Sequence, residues 1–174
     1  DDVLQLQTLR EEIQKEDDNS FQFAVNYINK FNEKGHQITA DFQYEKSNDK
    51  EPSFITETAL FENTPNLAGF LPSEKVLNEE DQTEYLVQAD YVLPFGEDSQ
   101  FEAGYRGNFK EEITDYELSV QDSISRNLEL IPLTNVFSYT ENVNAVYSQY
   151  GTKFGEFSFL LGLRLENTKL KGTI

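Results

Sequence analysis

The chain has 174 residues, and Asp and Glu outnumber Lys and Arg 32 to 14, for a formal net charge of -18. That balance excludes a nucleic-acid-binding surface, which needs clustered cations, and disfavours anionic membrane surfaces as partners. There is no Cys, which rules out disulfides and thiolate metal sites. No run of about eighteen apolar residues occurs, so no transmembrane helix is expected, but transmembrane strands of about ten half-apolar residues are not excluded.

The chain contains no Met and begins Asp1-Asp2-Val3-Leu4, without the charged and apolar regions of a signal peptide. It is therefore read as a piece of a longer polypeptide. Val3–Arg10 reads as the end of a strand, and Leu9–Lys15 is the best helical candidate, one turn in a loop. From Phe21 the dominant pattern has period two. Phe21, Phe23, Val25 and Tyr27 alternate with Gln22, Ala24 and Asn26, and Asn32-Glu33-Lys34-Gly35 makes a turn. Ile38, Ala40, Phe42 and Tyr44 then oppose Gln37, Thr39, Asp41, Gln43 and Glu45. Strand side chains point alternately to opposite faces, so this segment has one apolar and one polar face.

The pattern returns twice. Tyr85, Val87, Ala89, Tyr91, Leu93 and Phe95 oppose Glu84, Gln88 and Asp90, with a turn at Gly96–Ser99. Phe101, Ala103, Tyr105 and Phe109 follow, opposing Glu102, Arg106, Asn108 and Lys110. The last hairpin sets Phe137, Tyr139, Val143, Ala145 and Tyr147 as one apolar face, turns at Gly151–Gly155, and continues with Phe157, Phe159, Leu161, Leu163 and Leu165. The polar connections at 46–83 and 122–135 contain Pro52, Pro65, Pro72 and Pro132, which suit loops better than central strands.

Alternation alone favours a soluble extracellular β-sandwich, a binding module of the commoner fold. Two features favour a membrane barrel instead. Short turns alternate with long loops, as in outer-membrane barrels, and the strands exceed the usual five or six residues. The expected fold is all-β: an antiparallel up-and-down meander of long hairpins, forming part of a transmembrane β-barrel with its long loops on one side. Residues 1–174 are one barrel segment with hairpins 21–46, 83–121 and 135–170. The apolar face would meet lipid, with Phe21, Phe31, Tyr44, Tyr85, Phe95, Phe101, Phe109, Tyr150 and Phe157 near strand ends as an aromatic girdle. Glu84, Asp90, Glu102, Arg106 and Lys110 would line a wet lumen, with Arg106 beside Asp90 or Glu102.

No enzymatic constellation is found. His36 is the single His, so a Ser-His-Asp triad or His metal cluster is not expected. Glu79-Glu80-Asp81 and Glu16-Asp17-Asp18 are read as solvated loop carboxylates without EF-hand spacing. Gly104 and Gly107 lie inside a strand, not ahead of a helix, and mark a bend or close approach rather than a phosphate loop. The apolar stretch Phe54–Phe70, with Ile55, Leu60, Phe61 and Leu67, reads as a self-packed loop or as a contact surface at the barrel mouth. No catalytic, cofactor or metal residues are assigned, no cofactor is expected, and ligand-binding residues are left unassigned.

Two stretches carry a family resemblance. Phe137–Tyr147 (Phe-Ser-Tyr-Thr-Glu-Asn-Val-Asn-Ala-Val-Tyr), with Gly-Leu-Arg-Leu-Glu at Gly162–Glu166, resembles TonB-dependent receptors of Bacteroidetes and, more narrowly, their outer-membrane β-barrel family. Tyr27–Tyr44, with Phe31, Lys34-Gly35-His36 and Ala40-Asp41-Phe42, is similar to a hairpin of the same family. The resemblance implies residence in the outer membrane of a Gram-negative bacterium and a plugged-transporter barrel of about twenty-two strands. It implies contact with outer-membrane lipid and import of a nutrient ligand (an iron chelate, glycan or peptide). The inner-membrane TonB complex would drive that import through parts of the parent not recognisable here. Neither a plug domain nor a TonB box is found, so coupling and gating residues are not assigned.

Overall fold

A computed structural model describes residues 3–174. They form one antiparallel sheet of β1 (Leu6–Gln14), β2 (Asp17–Lys30), β3 (Gln37–Glu62), β4 (Glu74–Phe95), β5 (Ser99–Gln121), β6 (Leu128–Leu130), β7 (Asn135–Phe154) and β8 (Phe157–Thr173). The strand order is a simple meander. β1 and β2 lie end to end along one side of β3, and β8 closes the opposite flank against β7.

β1 and β2 are one strand in register terms. Gln14 faces Ser53 and Asp17 faces Lys50, so no residue is inserted between them. The ladder lapses there because Pro52 has no N–H to return. Lys15 N–H donates to the Pro52 carbonyl at 3.0 Å, and the reciprocal bond cannot form. A proline thus sits in the interior of a 26-residue strand and removes only one hydrogen bond.

The turns connect the strands by length as expected. Residues 31–36, 96–98 and 155–156 make the short connections at one end of the sheet. The longer 63–73 and 122–134 connections, the second carrying β6, lie together at the other end. Gly35, Gly96 and Gly155 have positive φ, the conformation a tight turn demands and most side chains resist.

Several expectations need correction. The loop expected over 46–83 is mostly strand, because β3 runs to Glu62 and β4 starts at Glu74. Glu79-Glu80-Asp81 and Asp17-Asp18 therefore lie in strands. Leu9–Gln14 belongs to β1 and not to a helical turn. β7 passes through Gly151 and ends at Phe154, so the last turn is confined to Gly155-Glu156.

Among the described residues no second layer covers the sheet. Among the described residues the buried hydrophobics are Ile55 and Ala145, at 7% and 2% exposure. A β-sandwich would bury the Phe and Leu face against another sheet. Here Phe157, Leu163 and Leu165 remain 82%, 76% and 74% exposed.

Candidate membrane interface and lumen wall

Cross-strand partners share a face, so the register fixes which side chains lie together. One row runs Tyr27, Ala40, Ala89, Tyr105, Val146, Leu165 across the sheet. Another, shifted by one residue, runs Asn26, Asp41, Gln88, Arg106, Ala145, Glu166. The first belongs to an apolar outer face and the second to a polar inner one.

This placement overturns the expected apolar face of β7. Tyr147 pairs with Gly104 and Arg164, and Tyr139 pairs with Glu112, so Tyr139, Val143, Ala145 and Tyr147 lie on the inner face. The outward residues of β7 are Asn142, Asn144, Val146, Ser148 and Tyr150. The other strands keep the faces expected of them.

The outer face carries a belt of lipid-crossing length. Phe101–Phe109 and Phe157–Leu165 supply its apolar positions on β5 and β8, segments that match the roughly 9–11 residues a tilted strand needs to cross hydrocarbon. Its upper edge descends across the sheet. On β2 the last apolar residue is Phe21; on β8 it is Leu165, whose row meets β2 at Tyr27. The edge therefore drops by the span from Phe21 to Tyr27 over the steps from β2 to β8. With about 3.3 Å of rise per residue and about 4.8 Å between strands, that slope corresponds to a strand tilt of roughly 40°. Closed transmembrane barrels tilt their strands by about 35–45°.

Aromatic groups mark both edges of the belt. Tyr44 lies between Phe21 and Tyr85, with ring centroids 6.3 Å and 5.1 Å away. At the short-turn end, the His36 ring lies tilted against Phe31, centroids 4.5 Å apart, and its Nε2 lies 2.7 Å from the Tyr91 hydroxyl. His36 is thus part of an aromatic cluster at the membrane edge. Rings with a polar tip favour this depth, where one end is apolar and the other wet.

The inner wall is polar and closely fitted. The Tyr147 hydroxyl donates to Asp90 at 2.6 Å, crossing β5 above Gly104. A Cβ on Gly104 would run into the Tyr147 ring and the Asp90 carboxylate. The expected close approach at this glycine is therefore made by a tyrosine. Gly107 does the same on the outer face, where Tyr105 and Phe109 occupy the space beside it and the Tyr105 hydroxyl donates to Asn144 at 2.7 Å.

The charge partners differ from those expected. Asp90 accepts from Tyr147 and Gln88, and Glu102 accepts from Gln100 and Gln149. Arg106 makes no ion pair among the described residues. Lys110, although registered with Glu84, bonds Glu112 on its own strand at 2.7 Å.

Above the belt the strands continue as an acidic rim. Asp18, with Glu51 and Asp49, raises the Glu16 pKa by like-charge repulsion. Burial raises Glu80, assisted by Glu112. The Lys50 ammonium, 2.8 Å away, holds Glu79 down. Asp122 is held low by backbone N–H groups of Ser125 and Ile124. The two long connections meet where Arg126 lies 4.0 Å above the Phe70 ring. Phe54, Leu60, Phe61 and Leu67 stay exposed, whereas Ile55 of the same stretch is buried.

A one-layer antiparallel sheet, bare on an apolar belt whose slope matches barrel tilt, is part of the wall of a transmembrane β-barrel. The profile of the outer membrane protein beta-barrel family matches residues 29–174; the chain belongs to that family and resides in the outer membrane. No protein of curated function matches the sequence. Among solved structures, the ferric citrate transporter FecA in its unliganded form is similar at 10% identity with a TM-score of 0.37. That match covers 79% of this chain and 21% of the transporter, so the chain spans about a fifth of the transporter's length.

Proposed function

We propose that this chain is part of the wall of a TonB-dependent receptor barrel that imports a scarce nutrient, acting as a conduit and not as an enzyme. The observation that carries this reading is the pairing of a bare, sloped apolar belt with a polar inner wall. The belt suits lipid, and the inner wall suits a water-filled or plugged passage. Strands that continue far past the membrane, such as β3 from Tyr44 to Glu62, would raise a tall vestibule in which a ligand is first held. The likeness of Phe137–Glu166 and Tyr27–Tyr44 to TonB-dependent receptors of Bacteroidetes supplies the energy source, with coupling to the TonB complex through other parts of the protein.

The test uses the full-length protein in its own cells. Deleting its gene and, separately, the TonB energy supply should abolish growth on the same limiting nutrient in a panel of iron chelates, glycans and peptides. Growth that depends on the barrel but not on TonB would reject the receptor assignment and leave a passive pore.

A further inference from the structure

We propose that Lys169 and Lys171, with Asn142, Asn167 and Thr140, form a docking surface for the phosphorylated headgroups of the outer leaflet. The patch continues directly from the lipid belt. On β8 the last apolar residue is Leu165; Asn167, Lys169 and Lys171 follow on the same outer face. At barrel tilt Lys169 lies about 10 Å above the hydrocarbon edge, within reach of headgroups for a long side chain that lays its stem on apolar surface and extends its amine.

The local charge is opposite to that of the molecule. On β4 and β5 the outer band above the belt is acidic, with Glu79, Asp81 and Glu111. Lys50 there is already paired to Glu79. On β7 and β8 the same band holds no carboxylate: Asn142 faces Lys169, Thr140 faces Lys171 and Asn144 faces Asn167. Neither lysine makes an ion pair among the described residues. Two unpaired ammonium groups among neutral hydrogen-bonding side chains, at headgroup depth, are complementary to phosphate. The net charge of -18 would repel an anionic surface as a whole, so attraction has to be local, and this sector brings two unpaired lysines together on one strand.

The test is a native mass spectrometry titration of the full-length protein in neutral detergent with phosphorylated lipid A or its dephosphorylated form. The variant is Lys169→Gln/Lys171→Gln. The control is Lys34→Gln/Lys153→Gln, which removes the same charge at the short-turn end. An anionic surface strengthens binding roughly fivefold per nearby lysine, so the variant should bind phosphorylated lipid A about 25-fold more weakly. Binding of the dephosphorylated lipid should not change, and the control should match the wild type. Equal weakening in both double variants would show a general charge effect and overturn the proposal, as would unchanged binding by the Lys169/Lys171 variant. Both variants should retain heat-modifiable gel mobility, which separates lost docking from lost folding.

Discussion

At Gly104 one missing methyl group determines how three strands fit together. Tyr147 on β7 reaches Asp90 on β4 only because β5 offers no Cβ between them. Gly104→Ala should therefore destabilise the folded barrel by about 1–3 kcal/mol, the range for overpacking a fitted site. Tyr147→Ala removes the obstructing ring and releases the Asp90 carboxylate that its hydroxyl holds, so Gly104→Ala should cost clearly less in that background. Urea titration of the four forms of the full-length protein in lipid vesicles measures the coupling. Simple additivity of the two single changes would mean that the ring does not occupy the space above Gly104. Gly104 was recognisable in the sequence as a close-approach glycine, but its partner was not, because Tyr147 lies on a strand separated from it by a long connection.

Strand existence was legible wherever lipid forces contrast between the faces. Within the belt, Ile38 to Tyr44 or Phe157 to Leu165 alternate cleanly because one side must be apolar and the other wet. Above the belt both faces meet water, and the alternation disappears although the strand continues. This is why Lys46–Glu62 read as a loop, with Pro52 apparently confirming it. β7 failed differently. Its lumen face carries Phe137, Tyr139 and Tyr147, while its outward face above the sloping belt edge carries Asn142 and Asn144. Hydrophobicity alone therefore pointed the wrong way, and only register against β5 resolves it. Since the chain has no native Cys, single spin labels test this directly. Labels at 146, 148 and 150 should collide with oxygen dissolved in lipid, whereas labels at 145, 147 and 149 should be shielded from it. Lipid accessibility at the odd positions would reverse the assignment. An arginine at Tyr150, which faces Leu161 midway along the belt, should likewise destabilise by about 2–4 kcal/mol, and one at Gln149 by far less.

For the whole molecule, the rim above the membrane concentrates negative charge on the inner wall. Glu16, Asp18, Asp49, Glu51 and Glu80 share that face, whereas Lys46 and Lys50 of β3 point outward. The two kinds of shifted carboxyl act in opposite directions as pH falls. Glu16 and Glu80 have folded pKa values raised above the ordinary glutamate value. The folded rim holds their protons more tightly than the open chain does, so its stability increases as pH falls through the raised values, a gain complete below the ordinary one. Glu79 and Asp122 have depressed values. Their contribution is present above the ordinary carboxyl value and is lost as pH falls through the depressed ones. Acidification from neutrality should thus first tighten the rim and then loosen it. Hydrogen exchange, corrected for its intrinsic pH dependence, measures this. Amides around 16–18, 49–51 and 78–80 should first gain protection, before the 122–127 turn and the Lys50–Glu79 contact lose theirs at lower pH. Replacing Lys50 with Met should raise the Glu79 pKa and remove the 78–80 part of that second phase, leaving the 122–127 turn to lose protection as before. A steady loss of protection from neutrality downward would mean that like-charge repulsion within the rim is too well screened to affect its stability.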